Sequence, residues 1–260
     1  MRIPGLGTMS AGLAIVLLVS SALAADDQCE GCHGDPGFFA EYRKLYDYYR
    51  RWQGSPHQQG GVGCVDCHGG NPDSTEIAVA HAGVRPMNDT DSTLHSRAQP
   101  ETCGQCHRAN RNQFIRSRHY EALMRSEGAP TCTTCHSAMS SRPELRTIVV
   151  DACGNCHAPG NTANLPAVTD QARRVFQQLN VAGGLLGWTR IHFESHGWPA
   201  DSRSRVSALE TRYENILSEV HAFNLADTDA ATTDFLGDLR TIFDAARRAY
   251  EEQAPEMPNP

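Results

Sequence analysis

Apolar side chains recur at steps of three and four residues through the last third of the 260-residue chain, which predicts amphipathic α-helices there. One series covers residues 206–223 and another covers 236–250, and each has charged residues on its opposite face. The Asp- and Thr-rich stretch 227–234 lies between the two series, so the pattern predicts an antiparallel helix pair. A further helix is predicted over 170–183, with Thr169 as its N-cap.

The first residues have a different pattern, with one charge at Arg2 followed by an uncharged stretch over 3–25. The most apolar part ends in Ala22-Leu23-Ala24, a small-x-small site typical of a secretory signal. We therefore expect residues 1–24 to be removed and the protein to be exported, to the periplasm or an equivalent compartment. The competing interpretation is an uncleaved anchor, because the uncharged stretch approaches the length that spans a bilayer. No later segment is apolar enough for the mature chain to cross a membrane.

The middle of the chain contains all ten cysteines, and every one of them belongs to a Cys-x-x-Cys-His motif. The five copies are Cys29-Glu-Gly-Cys32-His33, Cys64-Val-Asp-Cys67-His68, Cys103-Gly-Gln-Cys106-His107, Cys132-Thr-Thr-Cys135-His136 and Cys153-Gly-Asn-Cys156-His157. This is the attachment signature of c-type haem. Two thiols three positions apart on one helical turn can bond the two vinyl groups of one porphyrin, and the adjacent histidine can then ligate the iron.

Other uses of paired cysteines explain the pattern less well. Zinc sites and thioredoxin-like redox pairs give no reason for a histidine after each second cysteine, and five disulfides give no reason for the repeated spacing. The sequence therefore predicts five covalently bound haems c. The predicted proximal iron ligands are His33, His68, His107, His136 and His157.

The motifs occupy residues 29–157, which leaves about 26 residues for each haem. So short a chain cannot enclose each haem separately, so the haems themselves are expected to form the core and to lie close together. The predicted fold is mainly α: a haem-packed multihaem cytochrome domain over 25–166 with little regular sheet, then a C-terminal helical hairpin or bundle over 167–253. The proline-rich residues 254–260 are predicted to form a loose tail.

A second axial ligand for each iron is available from the histidines outside the motifs. Seven remain of the twelve: His57, His81, His95, His119, His192, His196 and His221. This surplus favours bis-histidine ligation. Methionine is the other common distal ligand, but Met87, Met124 and Met139 are expected to fill the core instead.

An internal repeat singles out two of these histidines. Each of two segments runs from an attachment motif through a predicted helix and a Ser-x-His element to a glycine and the next motif. The elements are Ser55-Pro56-His57 and Ser117-Arg118-His119. Equivalent placement suggests equivalent use, so His57 and His119 are predicted as distal ligands.

The other spare histidines leave alternatives open. His81 and His95 lie in a polar segment that two iron bonds would order, and the alternative is two solvated loop histidines. His192 and His196 are spaced i, i+4 with neither a cysteine nor a clear carboxylate set to complete a separate metal site, so iron ligation by His196, beside Gly197, is expected. A buried packing role and ligation remain equally open for His221.

The formal charge of the chain is −7, and loss of Arg2 with the signal would make it −8. Haem propionates make the holoprotein more acidic still. The chain has no basic cluster for nucleic acid, and its acidity favours redox partners, donor and acceptor, that carry a basic docking patch. The apolar faces of the C-terminal helices are expected to cover the haems, with a homo-oligomer interface as the alternative.

Three stretches give the chain a likeness to a known family. The stretch from Cys103-Gly-Gln-Cys106-His107 to Ser117-Arg118-His119-Tyr120 resembles the multihaem cytochromes related to hydroxylamine oxidoreductase. The same family is similar to the stretch Gly63-Cys64-Val65-Asp66-Cys67-His68-Gly69-Gly70 that is followed by His81. It is also similar in having a long-helix region after the haem domain.

The resemblance implies that His119 is a distal ligand. It also implies electron carriers or enzymes acting on hydroxylamine or on nitrogen and sulfur oxyanions. The chain lacks the attachment motif with lysine in place of histidine that marks the active haem of pentahaem nitrite reductases. This difference argues against a nitrite reductase.

Three functions follow from the sequence, with electron transfer first. Bis-histidine iron has no open position for a substrate, which favours an electron carrier with no catalytic residues. One five-coordinate haem would instead make the protein an oxidoreductase for a small nitrogen or sulfur compound. In the third hypothesis the chain is a subunit of a larger conducting assembly.

Overall fold

The computed structural model of the chain describes residues 28–137, 139, 152–161, 163–198 and 201–253. These residues are mainly α-helical and contain no β-strand, which confirms the predicted mainly α fold with little regular sheet. The predicted signal 1–24 and the predicted tail 254–260 lie outside the described residues. The proposed division of the chain near residue 166 stays a prediction.

Short helices separated by turns make up the described part of the chain before residue 160. In chain order they are α1 (Gln28–His33), α2 (Pro36–Trp52), α3 (Pro56–Gln59), α4 (Val65–His68), α5 (Ile77–Ala80), α6 (Gln99–Gly104), α7 (Arg108–Phe114), α8 (Arg118–Met124), α9 (Cys132–His136) and α10 (Gly154–His157). α2 is the longest of them, and its backbone departs from helical angles at Tyr42 (φ −132°, ψ 48°), which kinks it. Single helical turns of this kind have little apolar face to bury against one another.

Long helices fill the described residues after 165. They are α11 (Pro166–His196), α12 (Ser202–Glu219) and α13 (Leu225–Gln253), with a 3₁₀ turn at Val220–Ala222 between the last two. Each long helix packs against the other two. The predicted helix pair is therefore part of a three-helix bundle. None of the described helices combines the length and apolar character needed to span a bilayer.

The first helix of the bundle is longer at both ends than the predicted helix 170–183. α11 starts at Pro166, whose fixed φ suits the first helical position, so Thr169 lies inside the helix and is not its N-cap. α11 continues to His196, where Gly197 (φ 95°) ends it in a left-handed conformation that glycine adopts without strain.

The Asp- and Thr-rich stretch 227–234 is helical, whereas the sequence pattern placed a break there. The hydroxyls of Thr228 and Thr232 donate to carbonyl oxygens four residues earlier, at 2.9 and 2.7 Å, so both buried side chains are satisfied within the helix. Asp234 accepts a hydrogen bond from Arg212 of α12. The polar composition of this stretch therefore did not predict its structure correctly, because the polar side chains form hydrogen bonds within the helix or with the neighbouring helix.

The apolar core lies almost entirely in this bundle. Its fully buried members include Val175, Leu179, Phe235 and Leu239. The large buried apolar side chains of the described segment 28–137 are Trp52, Phe114 and Leu123, and Pro100 is also buried. The segment that contains the attachment motifs thus has very little protein core of its own, as expected for a chain that packs around prosthetic groups.

Candidate haem sites

The attachment motifs adopt the helical turn that their chemistry requires. In four motifs the histidine is the last residue of a short helix, and these helices are α1, α4, α9 and α10. The third motif spans the end of α6 and the turn before α7. The amide of His68 donates to the Cys64 carbonyl at 2.9 Å, and the amide of His107 donates to the Cys103 carbonyl at 2.9 Å. All ten cysteines are among the described residues, and no disulfide joins them.

Four pairs of histidine rings each join a motif histidine to a histidine from outside the motifs. The ring centroids are 6.1 Å apart for His33 and His81, and 5.8 Å apart for His107 and His57. The remaining pairs, both with centroids 6.0 Å apart, are His157 with His119 and His136 with His221. Four of the five motif histidines are thus paired within the described residues.

This spacing is the one expected for two imidazoles on opposite sides of one metal ion. Metal–imidazole bonds are about 2 Å long, so opposed rings have centroids about 6 Å apart. Direct ring stacking would bring the centroids closer, and unrelated rings would show no common distance. The shared value of 5.8–6.1 Å therefore favours four sites with two axial histidines each.

Hydrogen bonds at the second ring nitrogen prepare two distal histidines for ligation. Nδ1 of His81 donates to the carbonyl of Ile77 at 2.9 Å, and Nδ1 of His221 donates to the carbonyl of Leu217 at 3.0 Å. These bonds leave the Nε2 lone pair available for iron. The Nδ1 atoms of His119 and His157 are buried without a hydrogen-bond partner in the described residues. Buried polar atoms of this kind need a partner, which fits a pocket completed by another group.

Burial lowers the pKa of several of the paired imidazoles, which favours the neutral form that binds metal. The pKa of His119 is lowered by burial and then by the neighbouring His157. Burial also lowers the pKa of His136, and the next contribution to that shift comes from His221. Neutral rings at neutral pH are ready to ligate without first losing a proton.

The two Ser-x-His elements have the same local structure. Ser55 is the N-cap of α3 and accepts from the amide of Gln58 at 3.2 Å, and Ser117 is the N-cap of α8 and accepts from the amide of Tyr120 at 3.1 Å. Each cap places its histidine at the second position of a short helix. Each histidine also faces the second motif that follows it in the chain, so the repeat extends to the pairing.

A close backbone contact positions His81 at the end of α5. The amide of Asn71 donates to the carbonyl of Ala80 at 2.9 Å. Gly70 lies at φ 92°, and a Cβ there would be 2.5 Å from the same carbonyl oxygen. Glycine is thus required after the second motif, both for its conformation and for the approach of α5.

His221 is the residue that sequence reasoning did not select. It lies in the 3₁₀ turn after α12, and its ring is nearly parallel to that of His136, at 5°. The next residue but one, Phe223, is in the left-handed region (φ 58°) and places its ring 4.4 Å from that of His119. No local motif surrounds His221, so only its position beside Phe223 hinted at burial near a haem.

The second motif is the exception to the pairing. No ring contact joins His68 to a non-motif histidine within the described residues. The hydroxyl of Thr93 donates to the Cys67 carbonyl at 2.6 Å, which holds the segment containing His95 against this motif. Nδ1 of His95 accepts from the amide of Arg97 at 3.4 Å.

His196 lies elsewhere, although the sequence suggested it as a distal ligand. Its ring stacks on His192 with centroids 4.5 Å apart and meets Tyr250 edge-on at 6.1 Å. Its ring contacts in the described residues include no motif histidine. Folding of α11 and α13 into one bundle places this pair on the bundle, and His221 occupies the fourth-motif position.

Comparison with known proteins gives one distant relationship. The chain is 31% identical over 125 residues to the C-type polyheme cytochrome OmcB of Geobacter sulfurreducens, in the strains DL-1/KN400 and PCA. The chain is related to a multihaem c-type cytochrome. The match covers 45% of this chain but only 14% of the relative's length. No family model and no solved structure matches the chain.

Consecutive attachment motifs of this cytochrome-related chain lie next to one another. The pKa of His68 is lowered by burial and then by His33, which puts the first and second motifs in proximity. Burial, then the nearby Cys103, raises the pKa of Cys67 in the second motif. Burial and the neighbouring Cys153 raise the pKa of Cys135 to about 11, so the fourth and fifth motifs are neighbours as well.

The third and fourth motifs are joined by hydrogen bonds. The thiols of Cys103 and Cys132 are hydrogen-bonded, and this bond raises the pKa of Cys103. The buried side chain of Gln99 accepts from the amide and the hydroxyl of Thr133, at 3.3 and 3.1 Å, and donates to the Leu94 carbonyl at 3.1 Å. The motifs therefore follow one another in space in the order in which they occur along the chain.

Proposed function

We propose that the chain is an exported pentahaem c-type cytochrome that carries electrons along a row of closely packed haems. The observation that carries the proposal is the pairing of motif histidines with second histidines at 5.8–6.1 Å. The relationship to a polyheme cytochrome supports covalent haem, and the five complete motifs support the number.

The four observed pairs support the axial ligands that we assign to four irons. For the fifth, at His68, we assign His95, which the Thr93–Cys67 hydrogen bond holds beside the second motif. For the iron at the fourth motif we assign His221, which takes the place of His196 among the five distal ligands expected from the sequence. Every iron then has two histidine ligands, so no axial coordination position is left for a substrate.

The residues of the chain determine the order of the proposed haems and the surroundings of their ligands. When bound, haem supplies one-electron redox chemistry, and two histidines hold the potential low. The polypeptide brings successive motifs into contact and covers the fourth and fifth motifs with the turn containing His221 and Phe223. Burial also lowers the pKa of the distal imidazoles of His57, His119 and His221. Because each motif is next to the one that follows it in the chain, we infer that electrons pass in motif order.

The remaining features concern location and partners. The N-terminal stretch 1–24 favours export, which agrees with haem attachment outside the cytoplasm. The net charge of −7 becomes more negative with the haem propionates, so the donor and acceptor are expected to present basic surfaces.

The proposal is tested by intact mass and by carbon monoxide binding. We expect the mass of the purified protein to show five haems and the reduced protein to bind no carbon monoxide, because no iron has an open position. His95→Ala should then create one carbon monoxide site per chain. Fewer than five haems, or stoichiometric binding to the unmodified protein, would contradict it.

One alternative function is favoured because no histidine from outside the motifs pairs with the ring of His68 in the part of the chain that the structure describes. If His95 does not reach that iron, the second haem is open and the protein is an oxidoreductase for a small nitrogen or sulfur compound. The unmodified reduced protein would then bind one carbon monoxide per chain, and His95→Ala would leave that stoichiometry unchanged.

A further inference from the structure

Phe223 ends the 3₁₀ turn Val220–Ala222 in a backbone conformation that an aromatic residue does not favour. Its φ is 58°, in the left-handed region where glycine is the usual residue at the end of a helix. A side chain there is strained, and such strain persists only where the surrounding structure compensates for it. The contacts of the Phe223 ring therefore have to offset this strain.

The Phe223 ring packs against two other rings. It meets the imidazole of His119 edge-on, with centroids 4.4 Å apart and planes 87° apart. It also contacts Phe114, with centroids 6.2 Å apart and planes 69° apart. Phe114 is buried at the end of α7, and the 3₁₀ turn packs against that helix. Edge-to-face aromatic contacts are favourable, so they offset the backbone strain and fix the position of the Phe223 ring.

Packing fixes the plane of the His119 imidazole in the part of the chain that the structure describes. Nδ1 of His119 is buried there without a hydrogen-bond partner, whereas Nδ1 of His81 and Nδ1 of His221 each bond to a backbone carbonyl. The His157 ring lies 6.0 Å away with its plane at 59°, which leaves space for an iron between the two imidazoles. Phe223 is thus the side chain against which the distal imidazole of the fifth motif rests.

The strained residue allows one turn to reach two attachment motifs. His221 pairs with His136 of the fourth motif. Two residues later, Phe223 contacts His119, which pairs with His157 of the fifth motif. The left-handed conformation changes the direction of the chain between these two contacts, which explains why the turn tolerates it.

The orientation of an axial imidazole affects a low-spin ferric haem. The π electrons of each imidazole interact with the iron d orbital that extends perpendicular to the ring plane. The angle between the two imidazole planes therefore sets the energy difference between the iron d orbitals, and with it the g values in electron paramagnetic resonance. An apolar side chain beside a ligand also limits the access of water, which affects the redox potential.

We propose that Phe223 is a positioning residue, which fixes the plane of the His119 imidazole at the iron of the fifth motif and excludes water from that side of the haem. The inference rests on the proposed ligation of that iron by His119 and His157. It gives one side chain of the bundle control over a single haem of the row.

The test compares the ferric electron paramagnetic resonance spectrum and the redox titration of the five-haem holoprotein with those of Phe223→Gly. Glycine suits the left-handed backbone, so the turn and the His221 ligand should stay while the ring is lost. We expect a difference spectrum equal to one haem per chain, with shifted g values that are still low-spin. The potential of one haem should fall, because water stabilises the more highly charged ferric form.

Matched variants separate the ring from the backbone strain. Phe223→Tyr keeps an aromatic ring and should retain the spectrum and the potentials of the parent. Asp201→Gly relieves a left-handed residue (φ 63°) just before α12, which contains none of the paired histidines, and should change neither. Phe223→Leu keeps apolar bulk without a flat ring, so it should shift the g values with a smaller fall in potential. It carries the test if Phe223→Gly does not retain five haems.

Two results from the spectra would overturn the proposal: unchanged g values in the Phe223 variants that lack a ring, or the same change in Asp201→Gly. Carbon monoxide binding by reduced Phe223→Gly would also overturn it, because Phe223 would then keep a ligand on its iron instead of orienting one that stays bound.

His119→Ala distinguishes failure of this inference from failure of the proposed function. The reduced variant should bind one carbon monoxide per chain. If it does and the ring-free Phe223 variants keep the parent spectrum, only the role of Phe223 is wrong. If it binds none, His119 is not an iron ligand, and the ligand assignment and this inference are both overturned.

Discussion

Single histidines differ in how far their surroundings along the chain reveal their use. His57 and His119 could be selected from sequence because the serine two positions earlier is an N-cap, and capping is a local property. His221 could not, because its partner His136 is distant in sequence and the two meet only when the bundle packs. His196 carries the same local backbone hydrogen bond as His221, so local structure alone does not separate the two.

We expect His221→Ala to open one haem, because the iron at the fourth motif loses its second imidazole. The reduced variant should bind one carbon monoxide per chain in an optical titration. The matched control is His196→Ala, which should bind none. Absence of binding in His221→Ala, or binding in His196→Ala, would contradict the assignment.

We expect Gly70→Ala to destabilise the protein more than Gly61→Ala. Both glycines are in the left-handed region, at φ 92° and 77°, where a side chain costs about 1–2 kcal/mol. Only at Gly70 would the new Cβ also meet a backbone oxygen, that of Ala80 at 2.5 Å, whereas nothing lies within 4 Å of one at Gly61. Denaturant unfolding followed at the Soret band measures the difference, and equal losses of stability would rule out the steric effect.

Helices show where pattern reading succeeds and where tertiary contacts override it. The apolar series predicted the helices of the bundle because burial on one face imposes their period. Thr169 was taken for a helix start and 227–234 for a break, but Pro166 begins α11 and α13 runs through the polar stretch. A threonine hydroxyl can cap the start of a helix or donate a hydrogen bond to a carbonyl inside it. Composition alone therefore does not distinguish a helix end from a helix interior.

We expect Leu239→Ala to lower the free energy of unfolding by about 2–5 kcal/mol, because it leaves a cavity in the bundle core. Leu239 is fully buried, whereas Leu217 on α12 is 37% exposed and serves as the matched control. Leu217→Ala should cost less than half as much, measured by denaturant unfolding. Equal effects would mean that the bundle core is not where stability resides.

The whole molecule combines a helical bundle with its own core and a motif segment with almost none. The sequence indicated this division through cysteine spacing on one side and helical period on the other. It did not indicate that the turn after α12 contacts the fourth motif. The ring contacts His136–His221 and Phe114–Phe223 join the two parts. Long-range pairing of this kind depends on packing geometry, which no local pattern encodes.

We expect haem-free protein to keep the bundle and lose order in the motif segment. The buried apolar cluster lies within 166–253, so α11 to α13 should retain protected amides in hydrogen exchange. Amides of 28–137 should exchange rapidly, because without haem little apolar surface remains buried there. Equal protection in both parts would show that the motif segment folds without its prosthetic groups.

The most direct test is the electron paramagnetic resonance spectrum of the ferric holoprotein, integrated against total haem. Bis-histidine ligation of all five irons predicts that the whole signal is low-spin. A high-spin component equal to one haem per chain would contradict closure of every site by histidine.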